Sequence, residues 1–122
     1  MKIRVGDDLE KLRDSCRPEL ALYIGGMGAR SKNFYNDYAS AMGFADAARK
    51  IQDLYLDGKK NEAAALVPDK LIDQIALLGT PERIKDRMQA WKDIARQHKV
   101  GTLVLTGATR EALRVAAAAA FG

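Results

Sequence analysis

The chain has 122 residues, the length of one domain at most, and 48% of them are hydrophobic, so we expect a globular and not a disordered protein. Its net charge of +4 comes from 20 basic and 16 acidic residues, interleaved along the chain, which favours a solvated helix surface over a nucleic-acid interface. The longest apolar run, 115–121, falls short of the ~20 residues that span a bilayer, and no signal-peptide pattern is present. The single cysteine, Cys16, cannot form an internal disulfide. We therefore expect a cytoplasmic protein with no membrane or nucleic-acid partner.

The first predicted elements are a short strand at 3–5 and a helix that begins after Gly6-Asp7-Asp8, where an aspartate is a suitable cap. Pro18 lies inside the helical pattern and should kink or split the helix near Arg17. The apolar positions with helical spacing are Leu9, Leu12, Cys16, Leu20 and Tyr23.

This helical pattern stops at a glycine cluster made of Gly25, Gly26 and Gly28. Glycine permits positive φ and a close approach of the backbone to a ligand or to another chain segment. One interpretation is a helix C-cap followed by an irregular loop. The other is a lid that closes over a bound substrate and cofactor.

Further helices are predicted from apolar periodicity and from start and stop signals. Gly58 is a plausible C-cap residue, Pro68 is a break, and Thr80 with Pro81 forms a strong start signal. The predicted ranges are 45–56, 62–67, 69–77, 81–98 and 110–120.

The clearest predicted strand covers 100–106, because the apolar run 103–105 is typical of a parallel strand covered on both faces. Thr106 and Gly107 then turn into the last helix, whose N-terminus could hold a phosphate, although Thr109 also reads as a simple N-cap. Two strands are too few for a stable sheet, so the chain reads as a piece of a larger α/β protein.

Several motifs, in order along nearly the whole chain, resemble the C-terminal part of luciferase-like flavin-dependent monooxygenases, most closely the actinobacterial-type members that use a deazaflavin. They are LYIGGMG at 22–28, NFYN at 33–36, MGF at 42–44, QDLYLDG at 52–58, VPD at 67–69, LGTPERI at 78–84 and GTLVL at 101–105.

The resemblance implies an α/β fold that is the C-terminal portion of a TIM (β/α)8 barrel, mostly helical with two parallel strands. Residues 1–122 would then be a partial domain that lacks the first six strands. Its parts would be strand seven at 3–5, the insertion helices over the barrel mouth, helix seven from Pro81, strand eight at 102–106 and helix eight at 110–120.

The implied function is hydride transfer or oxygen insertion on a small organic substrate, with coenzyme F420 or FMN as the cofactor in the complete enzyme and no activity in this chain alone. Thr106 and Gly107 are the candidates for cofactor contacts. The candidate substrate and lid residues are Gly25, Gly26, Met27, Gly28, Arg30, Asn33 and Phe34. No catalytic residue is assigned, since flavin chemistry resides in the cofactor. No metal site is expected, since His98 is the only histidine.

A non-catalytic alternative stays open at this point. The chain could be a small helical interaction module that self-associates through exposed apolar faces, forming a homo-oligomer.

Overall fold

The computed structural model describes residues 1–122 and contains eight α-helices, two π-helical turns and two strands. The strands are β1 (Lys2–Val5) and β2 (Ala76–Gly79), and the π-helical turns are Leu22–Gly26 and Ser40–Phe44. The helices are α1 (Leu9–Asp14), α2 (Arg17–Ala21), α3 (Phe34–Ala39), α4 (Ala45–Leu56), α5 (Lys60–Ala65), α6 (Asp69–Ile75), α7 (Pro81–Arg96) and α8 (Arg110–Phe121). The chain divides into two compact units: a strand unit (Met1–Leu12 with Ile75–Gly122) and a helical unit (Arg13–Gln74).

In the strand unit, β1 and β2 pair in parallel, with Lys2 opposite Ala76 and Val5 opposite Gly79. The core beside them consists of Ile3, Leu77, Ile84, Met88, Ala112, Ala116 and Ala119. The prediction of a mostly helical chain with two parallel strands is therefore confirmed. Its place within a barrel stays a prediction.

The position of the second strand differs from the sequence prediction. The periodicity predicts a helix over 69–77, but α6 ends at Ile75 and the chain continues as β2, in which all four residues are buried. A short apolar run buried on both faces has no period that separates strand from helix. Conversely, the strand predicted at 100–106 forms only one bridge, between Thr106 and Lys2. Val104 is 69% exposed, so this segment is not covered on both faces.

The local helix signals are confirmed. The Asp8 carboxylate accepts a hydrogen bond from the Lys11 N–H at 3.1 Å. The Thr109 hydroxyl accepts one from the Ala112 N–H at 3.1 Å, and the Thr80 hydroxyl accepts one from the Arg83 N–H at 3.3 Å. Each satisfies one of the amide groups that a helix N-terminus leaves free.

Replacing Thr80 by alanine should lower the free energy of unfolding by about 1 kcal/mol, because the first turn of α7 loses this acceptor. Thr80→Ser keeps a hydroxyl at the same place and is the matched control. Urea denaturation followed by circular dichroism measures both. Equal stability of the alanine variant and the unchanged chain would contradict the cap.

The helical unit also follows its local signals. The first helix is split, since α1 ends at Asp14 and α2 begins at Arg17, one residue before Pro18. Helix α4 has the predicted bounds, and the helix predicted at 62–67 lies two residues earlier, at Lys60–Ala65. Gly58 has φ +82° just after α4, as a C-terminal glycine should.

Two arginines link the start of the helical unit to α6. Arg13 donates from Nε and Nη2 to the two oxygens of Asp73, at 3.1 and 2.7 Å. Arg17 pairs with Asp14 and Asp69. Partial burial lowers the pKa of Arg17, but the hydrogen bonds to these two carboxylates outweigh it and leave the pKa raised. None of the eight helices is long and apolar enough to cross a membrane.

Candidate functional site

The helical run that includes α2 ends within the glycine cluster, at Gly26, as the sequence predicts. Helix α2 continues into the π-helical turn Leu22–Gly26, which is wider than an α-helical turn. Gly25 and Gly26 form its last part, and Ile24 and Gly25 are buried. Turns of this kind occur frequently at functional sites.

The glycines permit close packing against α4. A Cβ atom added at Gly25 would lie 2.5 Å from Tyr55 Cβ, and one added at Gly26 would lie 2.4 Å from Tyr55 Cε1. One added at Gly28 would lie 2.4 Å from the Lys32 carbonyl oxygen. None of the three has a positive φ, so of the two properties that glycine permits, the cluster uses close approach. The expectation of close approach to another chain segment is confirmed.

Two asparagine side chains also hold the π-helical turn. Asn33 Nδ2 donates to the carbonyl oxygens of Tyr23 and Ile24, at 3.1 and 2.9 Å, and Asn33 Oδ1 caps α3 by accepting from Asn36 N at 3.0 Å. Asn36 Nδ2 donates to the Ile24 and Ala48 oxygens, at 3.0 and 2.8 Å. Asn33 is only 1% exposed, so its amide faces the protein interior and not the surface.

Helix α3 presents an aromatic surface, which we define as Phe34, Tyr35 and Tyr38. Phe34 is 69% exposed and its ring centroid lies 5.7 Å from that of Tyr35 and 5.9 Å from that of Tyr38. The Tyr35 ring also contacts the Tyr23 ring, with centroids 4.8 Å apart. Exposed rings held at these distances offer flat apolar faces on a rigid base.

The remaining lid candidates lie at the surface of the helical unit. Met27 is exposed, and Arg30 is exposed and forms an ion pair with Asp53 of α4. Nearby on α4, hydrogen bonds from Lys50 and Arg49 lower the pKa of the Asp46 carboxyl. The predicted lid residues thus fall into two groups. The side chains of Met27, Arg30 and Phe34 face outward. The three glycines and Asn33 make close contacts and hydrogen bonds that fix the backbone of this segment.

The predicted cofactor residues lie in the strand unit. The Thr106 N–H donates to the Met1 oxygen at 2.9 Å, and the Thr106 carbonyl accepts from Ile3 N at 3.3 Å. Gly107 has φ +65° and turns the chain toward α8, whose N-cap is Thr109. The N-cap interpretation of Thr109 is therefore confirmed, and a phosphate contact at Thr106 and Gly107 stays a prediction.

A family model described as luciferase-like monooxygenase matches residues 2–98. The chain belongs to this family. A relative from Mycobacterium tuberculosis, whose name describes a coenzyme F420-dependent oxidoreductase, is 32% identical over 117 residues, which is 96% of this chain and 33% of the relative. The chain thus spans about a third of the length of this curated relative. No solved structure matches it.

Within this luciferase-like chain, sequence reasoning missed α3 and the contacts of Asn36, Tyr38 and Tyr55. A signal for α3 was present, since Asn33 is a favoured N-cap residue and Asp37 adds an acidic group to the first turn. No comparable signal identifies Tyr55, because its contact with the glycines joins segments about thirty residues apart. The structure contains no group of three or more His, Cys, Asp or Glu side chains suited to a metal ion.

Proposed function

We propose that this chain is part of a luciferase-like oxidoreductase that uses coenzyme F420, or FMN, for hydride transfer or oxygen insertion on a small organic substrate. The observation that carries the proposal is the match along 96% of the chain to a relative named for F420-dependent oxidoreductase activity. Because the chain spans a third of that relative, we propose a partial domain, with strand seven, insertion helices, helix seven, strand eight and helix eight, that is inactive alone.

We assign the lid role to the helical unit. Its π-helical turn is packed on Tyr55 and held by Asn33 and Asn36, so it can carry outward-facing groups with little motion. Met27, Arg30 and Phe34 would face the substrate, and the aromatic surface would exclude water from the reacting ring.

The bound flavin or deazaflavin supplies the hydride chemistry. Thr106 and Gly107 remain the proposed phosphate contacts. This assignment is supported by the position of both residues in the turn before α8. The backbone N–H groups at the N-terminus of this 12-residue helix favour an anion.

The test uses two proteins: this chain alone, and a chimera in which it replaces the matched third of the mycobacterial relative. We expect the chain alone to bind neither F420 nor FMN stoichiometrically and to turn over no substrate. The chimera should bind F420, measured by fluorescence titration, and Phe34→Ala in the chimera should weaken substrate binding more than cofactor binding.

Tyr38→Ala in the chimera is the matched control. It also removes an exposed ring from α3, so it tests whether the effect on substrate binding is specific to Phe34. Stoichiometric flavin binding with turnover by the chain alone would refute the partial-domain proposal. A folded chimera that binds neither cofactor would refute the oxidoreductase proposal for this chain.

The second candidate, a self-associating helical module, is favoured by the exposed rings of Phe34 and Tyr38. Sedimentation of the chain alone distinguishes it, because a genuine module should give one defined oligomer with cooperative melting. Phe34→Glu should then dissociate that oligomer, whereas in a monomeric chain the same change should leave sedimentation unchanged.

A further inference from the structure

Gln52 of α4 is a buried side chain whose amide nitrogen has no hydrogen-bond partner in the chain. The residue is only 5% exposed, and its Nε2 atom is the one buried side-chain nitrogen or oxygen in this state. Buried donors in folded proteins are nearly always paired, either with the protein or with ordered water. Gln52 therefore needs a partner, which its surroundings help to identify.

The turn of α4 that ends at Gln52 is in contact with Asn36 of α3. In a regular helix the Gln52 N–H donates to the Ala48 oxygen, four residues earlier. Asn36 Nδ2 donates to that same oxygen at 2.8 Å, so the Asn36 amide lies beside this turn. A long side chain in a helix lies over the turn that precedes it, which for Gln52 is the turn of Ala48. Helix geometry thus directs the Gln52 amide toward the Asn36 amide.

The two amides present complementary groups that do not meet directly. Asn36 donates from Nδ2 to the Ile24 and Ala48 oxygens, which leaves its Oδ1 as an acceptor. Gln52 Nε2 is a donor, and it has no acceptor within hydrogen-bond distance. A group that joins them must accept from Gln52 and donate to Asn36. It must also be small, because Gln52 is almost fully covered, and a water molecule meets all three requirements.

We propose that the helical unit binds one internal water molecule, which accepts a hydrogen bond from Gln52 Nε2 and donates one to Asn36 Oδ1. Internal waters pair with buried polar groups that the protein itself leaves unpaired, and they are costly to remove. This water joins α4 to α3 and so helps to fix the helix that carries the aromatic surface. It does so whatever cofactor the complete enzyme uses.

Magnetisation transfer between water and the side-chain NH2 groups detects this water without any substitution. In the isotope-labelled chain, the Gln52 NH2 protons should show cross-relaxation with a water that tumbles with the protein, and rotating-frame spectra separate this signal from proton exchange. Gln74 is the matched control, because it is exposed in α6 of the same unit and meets only bulk water. A Gln52 signal like that of Gln74 would overturn the proposal.

Gln52→Met gives a test by sign, because methionine keeps the length of the side chain but has no amide. If water pairs with the amide, the substitution should raise the equilibrium constant for unfolding roughly two- to tenfold, as for one lost hydrogen bond. If the amide has no partner, the substitution removes a desolvated polar group and should lower that constant. Gln74→Met should change it by less than about twofold. Urea denaturation measures both variants, and a Q52M chain as stable as the unchanged one, or more stable, would overturn the proposal.

A double-mutant cycle with Asn36→Ala tests whether one water serves both amides. Asn36→Ala also loses the bonds to the Ile24 and Ala48 oxygens, so only its coupling with Q52M reports on the bridge. The effect of Q52M on the unfolding constant should shrink by more than about twofold in the N36A background. Additive effects would overturn the bridge. Coupling without a bound-water signal at Gln52 would overturn it in favour of a direct contact between the two amides.

Discussion

Replacing Asn33 by alanine is expected to lower the free energy of unfolding by about 3 kcal/mol, the sum of a lost helix cap and of buried carbonyl groups left with fewer donors. The cap is lost because Oδ1 accepts from Asn36 N at 3.0 Å. The donors are lost because Nδ2 bonds to the Tyr23 and Ile24 oxygens at 3.1 and 2.9 Å. Asn33 is only 1% exposed, so water cannot replace these hydrogen bonds unless the surrounding structure rearranges.

Two further substitutions separate the contributions. Asn33→Ser keeps an N-cap oxygen but lacks the amide donor, so its stability should lie between those of the alanine variant and the unchanged chain. Asn33→Asp also keeps the cap, but it turns a carboxylate oxygen toward two carbonyl oxygens and should be at least as destabilising as alanine.

Urea denaturation measures the global effect, and hydrogen exchange of the amides at 22–28 measures local opening of the π-helical turn. Asn61→Ala is the matched control, because Asn61 is exposed in α5 and a surface change of this kind should stay within about 0.5 kcal/mol. If N33A and N61A have the same stability, Asn33 does not hold the turn. If N33A alone accelerates exchange at 22–28, Asn33 holds the π-helical turn as described.

Predictions from the sequence succeed where the cause is local. Pro18 splits the first helix, Gly58 follows α4 with positive φ, and Thr80 caps α7. Each of these effects depends on the residue itself and on backbone groups within one turn of it. The family resemblance also holds, because it depends on the order of many short motifs and not on any one fold detail.

Predictions fail where the cause is tertiary. The run 76–79 is buried on every side, so nothing in its pattern separates a strand from the end of a helix. The run 103–105 is as apolar as a buried strand, but Val104 lies exposed. In the candidate site, the motif predicts the residues at 25–36, whereas their division into buried, packed groups and outward-facing groups depends on tertiary contacts that the motif does not show.

The contact between Gly26 and Tyr55 gives the second large effect. Gly26→Ala should lower the free energy of unfolding by about 2 kcal/mol, because overpacking outweighs the gain in helix propensity. The added Cβ would lie 2.4 Å from Tyr55 Cε1 and 2.9 Å from Tyr55 Cδ1, well inside contact distance. Gly101→Ala is the control, because no atom lies within 4 Å of a Cβ at Gly101 and its φ is not positive. Urea denaturation measures both, and equal stability of G26A and G101A would refute the close packing.

A double-mutant cycle with Tyr55→Ala tests the geometry itself. The three atoms nearest to the added Cβ at Gly26 all belong to the Tyr55 ring, so Gly26→Ala should become much less destabilising once that ring is removed. At Gly25 the nearest atoms are Tyr55 Cβ at 2.5 Å, Tyr55 Cγ at 3.0 Å and the Ile51 oxygen at 3.2 Å, and only Cγ is lost in Tyr55→Ala. Gly25→Ala should therefore stay destabilising in either background. Coupling at Gly25 as strong as at Gly26 would place the π-helical turn differently against α4. Strong coupling at Gly26 alone would mean that the two adjacent glycines serve different contacts: Gly25 packs on the base of the Tyr55 side chain and the Ile51 carbonyl, and Gly26 packs on the Tyr55 ring.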